Sequence, residues 1–294
     1  VSGIWQTVWL EFVPQTYIES LKIKPQFDDD SVAIQVQVNP KNTGLRFMAE
    51  VFNSEETVAS ADASPGESLT LPLTDPKPWS PENPFLYNLT VSLLENGKRI
   101  DQVQSYFGMR KYSLAPNAQG RPRFCLNNQP YFLYGPLDQG YWPDGLYTPP
   151  TDEAMRWEID FIKKAGFNML RKHIKVEPTR YYTYCDRAGV IVWQDMVSGG
   201  ISPRPIWFFF AQMFPKMRDD RFYWRLGRGR AENREQFRLE YQRMLETLYN
   251  VVSIAIWCPF NEGWGQFDAA QQINVNKACG TSGFVHHASG LFAL

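Results

Sequence analysis

Short segments of alternating apolar and polar residues fill the chain up to about residue 115. One of them places four aliphatic side chains on the same face of an extended strand: Val32, Ile34, Val36 and Val38. Four more segments show the same alternation: Leu45–Phe52, Ser68–Leu73, Leu86–Leu94 and Arg99–Met109. The dipeptide Asn96-Gly97 is typical of a tight hairpin turn between two strands. This pattern predicts a β-sandwich of immunoglobulin-like size.

The pattern changes after the segment Ala115–Pro122, which has the composition of a linker. Short apolar runs, typical of buried strands, then alternate with amphipathic helices. The predicted strands are Tyr131–Tyr134, Phe167–Arg171, Val190–Trp193, Val251–Trp257 and Phe284–His287. Strands that alternate with helices predict a parallel sheet with right-handed crossovers.

Three helices are predicted between these strands, with a fourth, less amphipathic one at Asp268–Ala278. Thr151 is a suitable N-cap for the first, and Gly166 follows its end. Pro178 begins the second and Gly189 ends it. The third has its apolar face at Phe237, Tyr241, Leu245 and Leu248.

Two sheet architectures are compatible with these five strands. A doubly wound open sheet often has a glycine-rich turn after its first strand, and the sequence has none there. A (β/α)8 barrel needs eight strands, so that five would make up only its first part.

The composition narrows the classes of function. The 294 residues include 30 Lys and Arg against 31 Asp and Glu, a net charge of −1, which gives no reason to expect nucleic acid or an anionic membrane as a partner. Aromatic residues make up 15% of the chain, and their faces suit sugar rings as well as protein cores. The four cysteines contain no CxxC pair, so we expect free thiols, mostly buried, rather than a metal site or a disulfide framework. We expect no membrane-spanning segment, and a start that is not a signal peptide.

Polar residues follow the predicted strands at their carboxyl ends, where barrel enzymes carry out their chemistry. They are Arg171 and His173, Gln194 and Asp195, Asn261 and Glu262, and His287 and Ser289. Structural roles compete for several of them. Arg171 could pair with a carboxylate of the sheet, His173 could be an ordinary inner histidine, and Asp195 could cap a helix.

Asn261-Glu262 has the most informative neighbourhood. A buried apolar strand leads directly into this pair, and Gly263-Trp264-Gly265 follows it. Burial and a neighbouring carboxylate can raise the pKa of a glutamate at such a place into the range of a useful general acid. The asparagine amide could bind a sugar hydroxyl, and Trp264 could stack on the ring.

At this point the chain resembles glycoside hydrolase family 2, which comprises β-galactosidases, β-glucuronidases and β-mannosidases. The segments that resemble the family, in its order, are Ser2–Glu11, Pro78–Tyr87, Phe107–Arg110, Ala165–Arg171, Cys185–Trp193, Asn261-Glu262 and Val285–Gly290. The resemblance implies three regions: 1–13 as the end of a jelly-roll sugar-binding domain, 14–114 as an immunoglobulin-like sandwich, and 115–294 as the first part of a (β/α)8 TIM barrel. It implies an internal fragment of an enzyme that removes terminal β-linked sugars with retention.

The same resemblance implies roles for single residues. Glu262 would be the proton donor and later the general base, Asn261 would bind the 2-hydroxyl of the sugar, and Arg171 would hold carboxylates in place. From their positions after the strands, four further residues are expected to line the substrate site: His173, Asp195, Trp264 and His287. No metal or other cofactor is implied. The partner is a carbohydrate, and a homo-oligomer is compatible with the resemblance for the full-length protein.

Two stretches depart from the better-known members. Lys172–Pro178 stands where they have Ser-His-Tyr-Pro, and Gln194-Asp195 stands where they usually have Asp-Glu. With these two departures the chain resembles a less characterised bacterial branch of the family. Retention also needs a second carboxylate about 5–5.5 Å from the first. In this family it is a glutamate after the seventh barrel strand, so we expect the fragment alone to be inactive. We also expect it to be poorly soluble, because an incomplete barrel leaves two strand edges open.

Two other functions remain open at this stage. A carbohydrate-binding protein without catalysis could use Asn261 and Trp264 as a sugar platform. An interaction protein could bury the aromatic run Trp207–Phe210, although such a run more often packs a loop. The basic stretch Arg218–Arg230 is interpreted as a solvated loop rather than a nucleic-acid surface, because acidic residues are interspersed.

Overall fold

The computed structural model describes residues 3–41, 44–199, 220–221, 223–263 and 265–286. The N-terminal half contains two antiparallel sheets that face each other across one apolar core. One has the order β1-β2-β5 and the other β4-β3-β6-β7. Their strands are β1 Tyr17–Gln26, β2 Ser31–Asn39, β3 Leu45–Asn53, β4 Glu56–Ala63, β5 Ser68–Pro72, β6 Tyr87–Glu95 and β7 Lys98–Phe107. The predicted β-sandwich is therefore confirmed.

The alternation of apolar and polar residues explains most of the strands in the sandwich. The four aliphatic residues of β2 named above are all buried, and they meet the inward face of β3 and β6. Asn96 and Gly97 join β6 to β7 with φ angles of +49° and +77°, as the predicted hairpin turn requires. Strands β1 and β4 were not predicted, because β1 carries charged residues and β4 is mostly exposed.

The segment interpreted as a linker has regular structure. Residues Tyr112–Pro116 (β8) pair antiparallel with Pro122–Leu126 (β9), and Gln129–Pro130 (β10) adds a short third strand. Pro116 ends β8 and Pro122 begins β9, and in the turn between them Asn117 Oδ1 accepts hydrogen bonds from the backbone N–H groups of Gln119 and Arg121. The chain thus passes from the sandwich to the second half through an ordered hairpin.

The second half contains a five-stranded parallel sheet whose spatial order follows the chain, β11-β12-β13-β14-β15. The strands are β11 Leu137–Asp138, β12 Met169–Lys172, β13 Ile191–Asp195, β14 Ile254–Cys258 and β15 Phe284–Val285. The first differs from the prediction, since Tyr131–Tyr134 is not a strand. Its residues still run beside β12, where Tyr134 O accepts a hydrogen bond from Asn168 N at 3.0 Å.

The connecting helices are α1 Asp152–Lys164, α2 Thr179–Ala188, α3 Ala231–Thr247 and α4 Ala269–Cys279. The Thr151 hydroxyl caps α1 by accepting a hydrogen bond from Ala154 N at 3.1 Å, as predicted. Gly189 ends α2 in the left-handed conformation, with φ +70°. On α3, Phe237, Tyr241 and Leu245 are buried, which confirms its predicted apolar face.

Each face of the parallel sheet has its own core. Leu170 and Val192 point to the face that the helices cover. Met169 and Ile191, one residue before each of them, point to the opposite face, where Trp79 of the sandwich packs. The β9 strand closes this second face as well.

A buried carboxylate joins the two halves. Asp186 of α2 accepts hydrogen bonds from Val252 N at 3.2 Å, Ser253 N at 2.7 Å and the Tyr106 hydroxyl at 2.9 Å. The Trp79 indole N–H donates to the carbonyl oxygen of Asp186 at 2.8 Å. The start of β14, the end of α2 and the sandwich are therefore held at one point.

The expected free cysteines agree with the structure. All four cysteines are free thiols; three are buried and Cys279 is partly exposed. Among the described residues, none of the helices is both long enough and apolar enough to cross a membrane.

Candidate active site

Arg171 and Asp195 form the centre of the polar cluster at the carboxyl ends of the parallel strands. Arg171 Nε donates to Asp195 Oδ1 at 3.1 Å, and Arg171 Nη2 donates to Asp195 Oδ2 at 2.9 Å. This two-pronged geometry gives a planar guanidinium and a carboxylate their strongest pairing. Burial raises the pKa of Asp195, and the hydrogen bonds and positive charge of Arg171 oppose that rise. Arg171 therefore pairs with a carboxylate of the sheet, as the structural alternative in the sequence analysis expected.

Asn261 is tied to the same guanidinium. Arg171 Nη2 also donates to Asn261 Oδ1, at 2.7 Å, and Asn261 is buried. Residues from the ends of β12, β13 and β14 are therefore connected: Arg171, Asp195 and Asn261. Parallel strands place their carboxyl ends at one edge of the sheet, which explains why residues so distant in sequence meet.

Glu262 differs from its neighbour in exposure and in backbone conformation. Its φ and ψ angles are +50° and +24°, a left-handed conformation that is uncommon for a residue with a side chain. The residue is exposed to solvent, whereas Asn261 beside it is buried. The chain turns sharply between the two, so that the asparagine faces the fixed cluster and the glutamate faces solvent.

Trp193 lies under this cluster. Its ring centroid is 5.2 Å from the Arg171 guanidinium carbon, and the His286 ring meets it edge-on with centroids 5.2 Å apart. Arg171 and Trp193 are also partners in the β12–β13 register, so their side chains share one face of the sheet. Trp193 was not among the candidates, although alternation along β13 could have indicated it, and of the adjacent His286 and His287 the sequence allowed only one to face the site.

His173 lies near enough to this cluster to act on Asp195, and several other sequence candidates lie outside the described residues. His173 is partly buried; its backbone N–H donates to Asp138 O at 2.9 Å, and it belongs to none of the hydrogen bonds that join Arg171, Asp195 and Asn261. Trp264, His287 and the aromatic run Trp207–Phe210 lie outside the described residues.

A second group of charged residues lies behind the site and was not predicted. Lys172 Nζ donates to Glu177 Oε1 at 2.9 Å and also pairs with Asp138. Lys175 Nζ donates to the same Glu177 oxygen at 2.7 Å. Lys172, Lys175 and Glu177 are all buried. Burial lowers the pKa of Lys172, but the charges of Asp138 and Glu177 outweigh that effect and leave it raised.

One residue of the basic stretch is buried, contrary to its interpretation as a solvated loop. Arg228 is only 3% exposed; its Nε donates to Gly265 O at 3.0 Å, and its guanidinium lies 4.6 Å from the centroid of the Phe237 ring. Burial lowers the pKa of Arg228 to about 10. Arg221 and Arg230 are exposed, as predicted. Arg228 therefore supports the loop that follows Glu262.

This arrangement can carry out proton transfer at a fixed place. The Arg171 cluster holds Asn261, and the carboxylate of the next residue is exposed to solvent. Among the described residues, no group of three or more His, Cys, Asp or Glu side chains could hold a metal ion.

Comparison with known proteins finds one family model, which covers the sandwich region, and relatives that cover more of the chain. Residues 16–110 match the model of the family described as "Glycosyl hydrolases family 2". A β-galactosidase of Vibrio vulnificus (strain CMCP6) is 28% identical over 212 residues, which are 65% of this chain and 20% of the relative. A β-galactosidase of Streptococcus thermophilus is 22% identical over 97% of this chain and 27% of its own length.

A solved structure shows the same fold. The apo structure of Bacteroides uniformis β-glucuronidase 3 superposes with a TM-score of 0.70 at 21% identity, over 93% of this chain and 33% of that one. The chain spans between 18% and 27% of the length of the first curated relatives. The segment therefore corresponds to a limited part of those proteins.

Proposed function

We propose that this chain, whose residues 16–110 match glycosyl hydrolase family 2, is part of an enzyme of that family and supplies the proton donor of a retaining β-glycosidase. Glu262 is the acid in the first step and the base in the second, as the two steps of retention require. Asn261 binds the sugar hydroxyl next to the reacting carbon. The substrate class is a terminal β-linked sugar, with galactosides and glucuronides first because the relatives are named for them.

The observation that carries this proposal is the contrast between adjacent residues at the end of β14. Asn261 is buried and bonded to Arg171, and Glu262 is exposed in a left-handed turn. A catalytic acid needs a fixed position together with access to substrate and water. The Arg171–Asp195 pair fixes the position, and the turn at Glu262 gives access to substrate and water.

Two nearby carboxylates do not fit the role of nucleophile. Asp195 is fully buried and holds Arg171 with both oxygens. Glu177 is buried against Lys172 and Lys175. Their negative charges are engaged in ion pairs, so neither offers a carboxylate to the sugar. We therefore infer that the nucleophile comes from outside the segment, and that the segment alone does not turn over substrate.

The sheet supports a barrel rather than a doubly wound sheet as its complete form. Its five strands are parallel and lie side by side in chain order, without the reversal of order that defines a doubly wound sheet. Three further strand–helix units would close such a sheet. On this proposal residues 115–294 form the first part of the catalytic domain, residues 14–114 the sandwich beside it, and residues 1–13 the end of a preceding sugar-binding domain.

The test replaces Glu262 by glutamine in a polypeptide that carries this segment with the rest of the catalytic domain. Loss of a general acid lowers hydrolysis by about 10²–10⁴-fold for leaving groups that need protonation. The rate of the bond-breaking step should fall strongly for alkyl β-glycosides, whose leaving group needs a proton. It should fall much less for 2,4-dinitrophenyl β-glycosides, whose leaving group departs without one. Azide should restore turnover of the activated substrates and yield a β-glycosyl azide.

The matched control is Glu235→Gln, the same change at a residue whose side chain is 63% exposed on α3. It should leave all rates unchanged. An equal loss for good and poor leaving groups, without azide rescue, would show that Glu262 is not the acid. Saturable sugar binding by wild-type protein without any turnover would instead support a carbohydrate-binding protein.

A further inference from the structure

Gln194 makes three hydrogen bonds in a fully buried position at the end of β13. Its Nε2 donates to Lys175 O and to Asp195 O, both at 2.7 Å. Its Oε1 accepts a hydrogen bond from the Tyr182 hydroxyl at 2.6 Å. Both amide hydrogens and the amide oxygen are therefore used.

Only an amide fits these partners. Two carbonyl oxygens face the Nε2 end of the side chain, so that end must donate twice. A carboxylate there would place negative charge against both carbonyls, and a hydrocarbon would leave two buried acceptors without donors. The amide of Gln194 thus fastens the backbone at Asp195 to the backbone at Lys175.

The backbone that Gln194 holds belongs to the candidate site. Asp195 binds Arg171 with both oxygens, and Arg171 binds Asn261, which precedes Glu262. We propose that Gln194 is a positioning residue for Glu262, acting through Asp195 and Arg171. This inference rests on the proposed function for its effect on catalysis, but its effect on Arg171 can be measured without catalysis.

The loop at the other end of the Gln194 amide is fixed independently. Lys175 Nζ donates to Gly140 O at 2.7 Å as well as to Glu177. Glu177 N donates to the Tyr182 hydroxyl at 3.2 Å, the same hydroxyl that donates to Gln194. The loop is therefore rigid enough to serve as an anchor for the strand end.

This network joins the two stretches that depart from the better-known members of the family. Lys175 and Glu177 belong to one departing stretch, and Gln194 belongs to the other. The structure joins them through Tyr182 and through the carbonyl oxygen of Lys175. An aspartate at position 194 could not make the two donations, so the loop and the amide form one unit that supports the acid.

The first test is Gln194→Glu in a polypeptide with the complete catalytic domain. We expect kcat to fall by about tenfold or more, with KM changed by less than about threefold, because buried donors are lost and the acid is misplaced while the sugar site persists. Gln104→Glu, the same change at an exposed sandwich position, should keep the wild-type kcat. An unchanged kcat in folded Gln194→Glu would overturn the proposal.

The second test follows Arg171 directly by NMR in the same polypeptide with the complete catalytic domain. The Arg171 Nε–H signal, assigned by its absence in Arg171→Lys, should exchange with solvent about tenfold faster in Gln194→Glu than in wild type. Unchanged exchange would overturn the proposal even if activity were lost. If the wild-type enzyme has no activity that depends on Glu262, the proposed function fails, and this exchange measurement alone decides the role of Gln194.

Tyr182→Phe covers the case in which Gln194→Glu does not fold. It removes only the hydroxyl that donates to Gln194 Oε1, within an intact aromatic core. We expect faster exchange at Arg171 and a lower kcat, both smaller in size than for Gln194→Glu. If folded Tyr182→Phe kept the wild-type exchange rate at Arg171 and the wild-type kcat, the proposal would be contradicted.

Discussion

Arg171 holds Asp195 with two hydrogen bonds and Asn261 with a third, all from the same guanidinium. Asp195→Asn removes the charge but keeps the shape. Removing one partner of a buried ion pair leaves the other uncompensated, so we expect the free energy of unfolding to fall by about 3 kcal/mol. Urea denaturation measures it. The control is Asp160→Asn, the same change at an exposed residue of α1. If both variants lost the same small free energy of unfolding, the buried pairing of Asp195 would be contradicted.

Asp186 should be the most sensitive single residue at the junction of the two halves. Asp186→Ala leaves the backbone N–H groups of Val252 and Ser253 without an acceptor, and we expect a loss of about 3–5 kcal/mol in unfolding free energy. Tyr106→Phe removes only one donor and should cost about 1 kcal/mol. Both are measured by urea denaturation. Similar small losses in both variants would show that the carboxylate does not hold the junction.

Glu158 of α1 should make stability depend on pH near neutrality. Burial raises its pKa to about 7, and the negative charges of Asp138 and Glu177 add to the rise while Lys172 and Lys175 oppose it. The pKa of this carboxyl is higher in the folded chain than in the unfolded chain. Its stabilising contribution is therefore complete below about pH 4.5 and is lost as pH rises towards 7, with a slope of up to about 1.4 kcal/mol per pH unit.

Glu158→Gln removes this titration. The stability of the variant relative to wild type should increase from pH 5 to pH 8, as measured by urea denaturation at both values. Glu153→Gln on the same helix, where the side chain is 78% exposed, is the control and should show no such trend. A constant difference between Glu158→Gln and wild type would disprove the raised pKa.

Gly265 should not tolerate a side chain. Its φ is +63°, and a Cβ atom would lie 2.9 Å from Gly199 O and 3.0 Å from Arg228 Nε. We expect Gly265→Ala to cost about 2–3 kcal/mol and to displace the loop that follows Glu262. Gly97→Ala is a matched control, because it has a similar φ of +77° and open space around it; it should cost about 1 kcal/mol. Equal costs in thermal unfolding would show that the close contact at Gly265 relaxes freely.

Periodicity predicted most of the fold, and its failures have physical causes. Strand β2 and helix α3 were predicted because their apolar residues repeat at the period of the element. Strand β4 was missed because most of its residues are exposed, so no apolar face marks it. The hairpin of β8 and β9 was missed because its turn residues resemble a linker.

The candidate site was predictable only in part for a different reason. Position after a strand identified Arg171, Asp195, Asn261 and Glu262, because parallel strands end at one edge. Gln194 was noted at a strand end and as a departure from the family, but its role was not predicted, since one of its partners is a backbone carbonyl of a distant loop and no spacing reveals it. Arg228 was placed among exposed arginines, because burial of a single cation within a basic stretch depends on tertiary packing.

The junction at Asp186 has a consequence for how such proteins can be recombined. Strand β14 is held by Asp186 at one end and leads into Asn261-Glu262 at the other. Tyr106 and Trp79, which complete the junction, come from the sandwich. A chimera that exchanges the sandwich for a homologous one, but omits these two residues, would disturb the far end of the strand that carries the acid. A sandwich that replaces this one therefore needs side chains equivalent to Tyr106 and Trp79 if the acid is to keep its position.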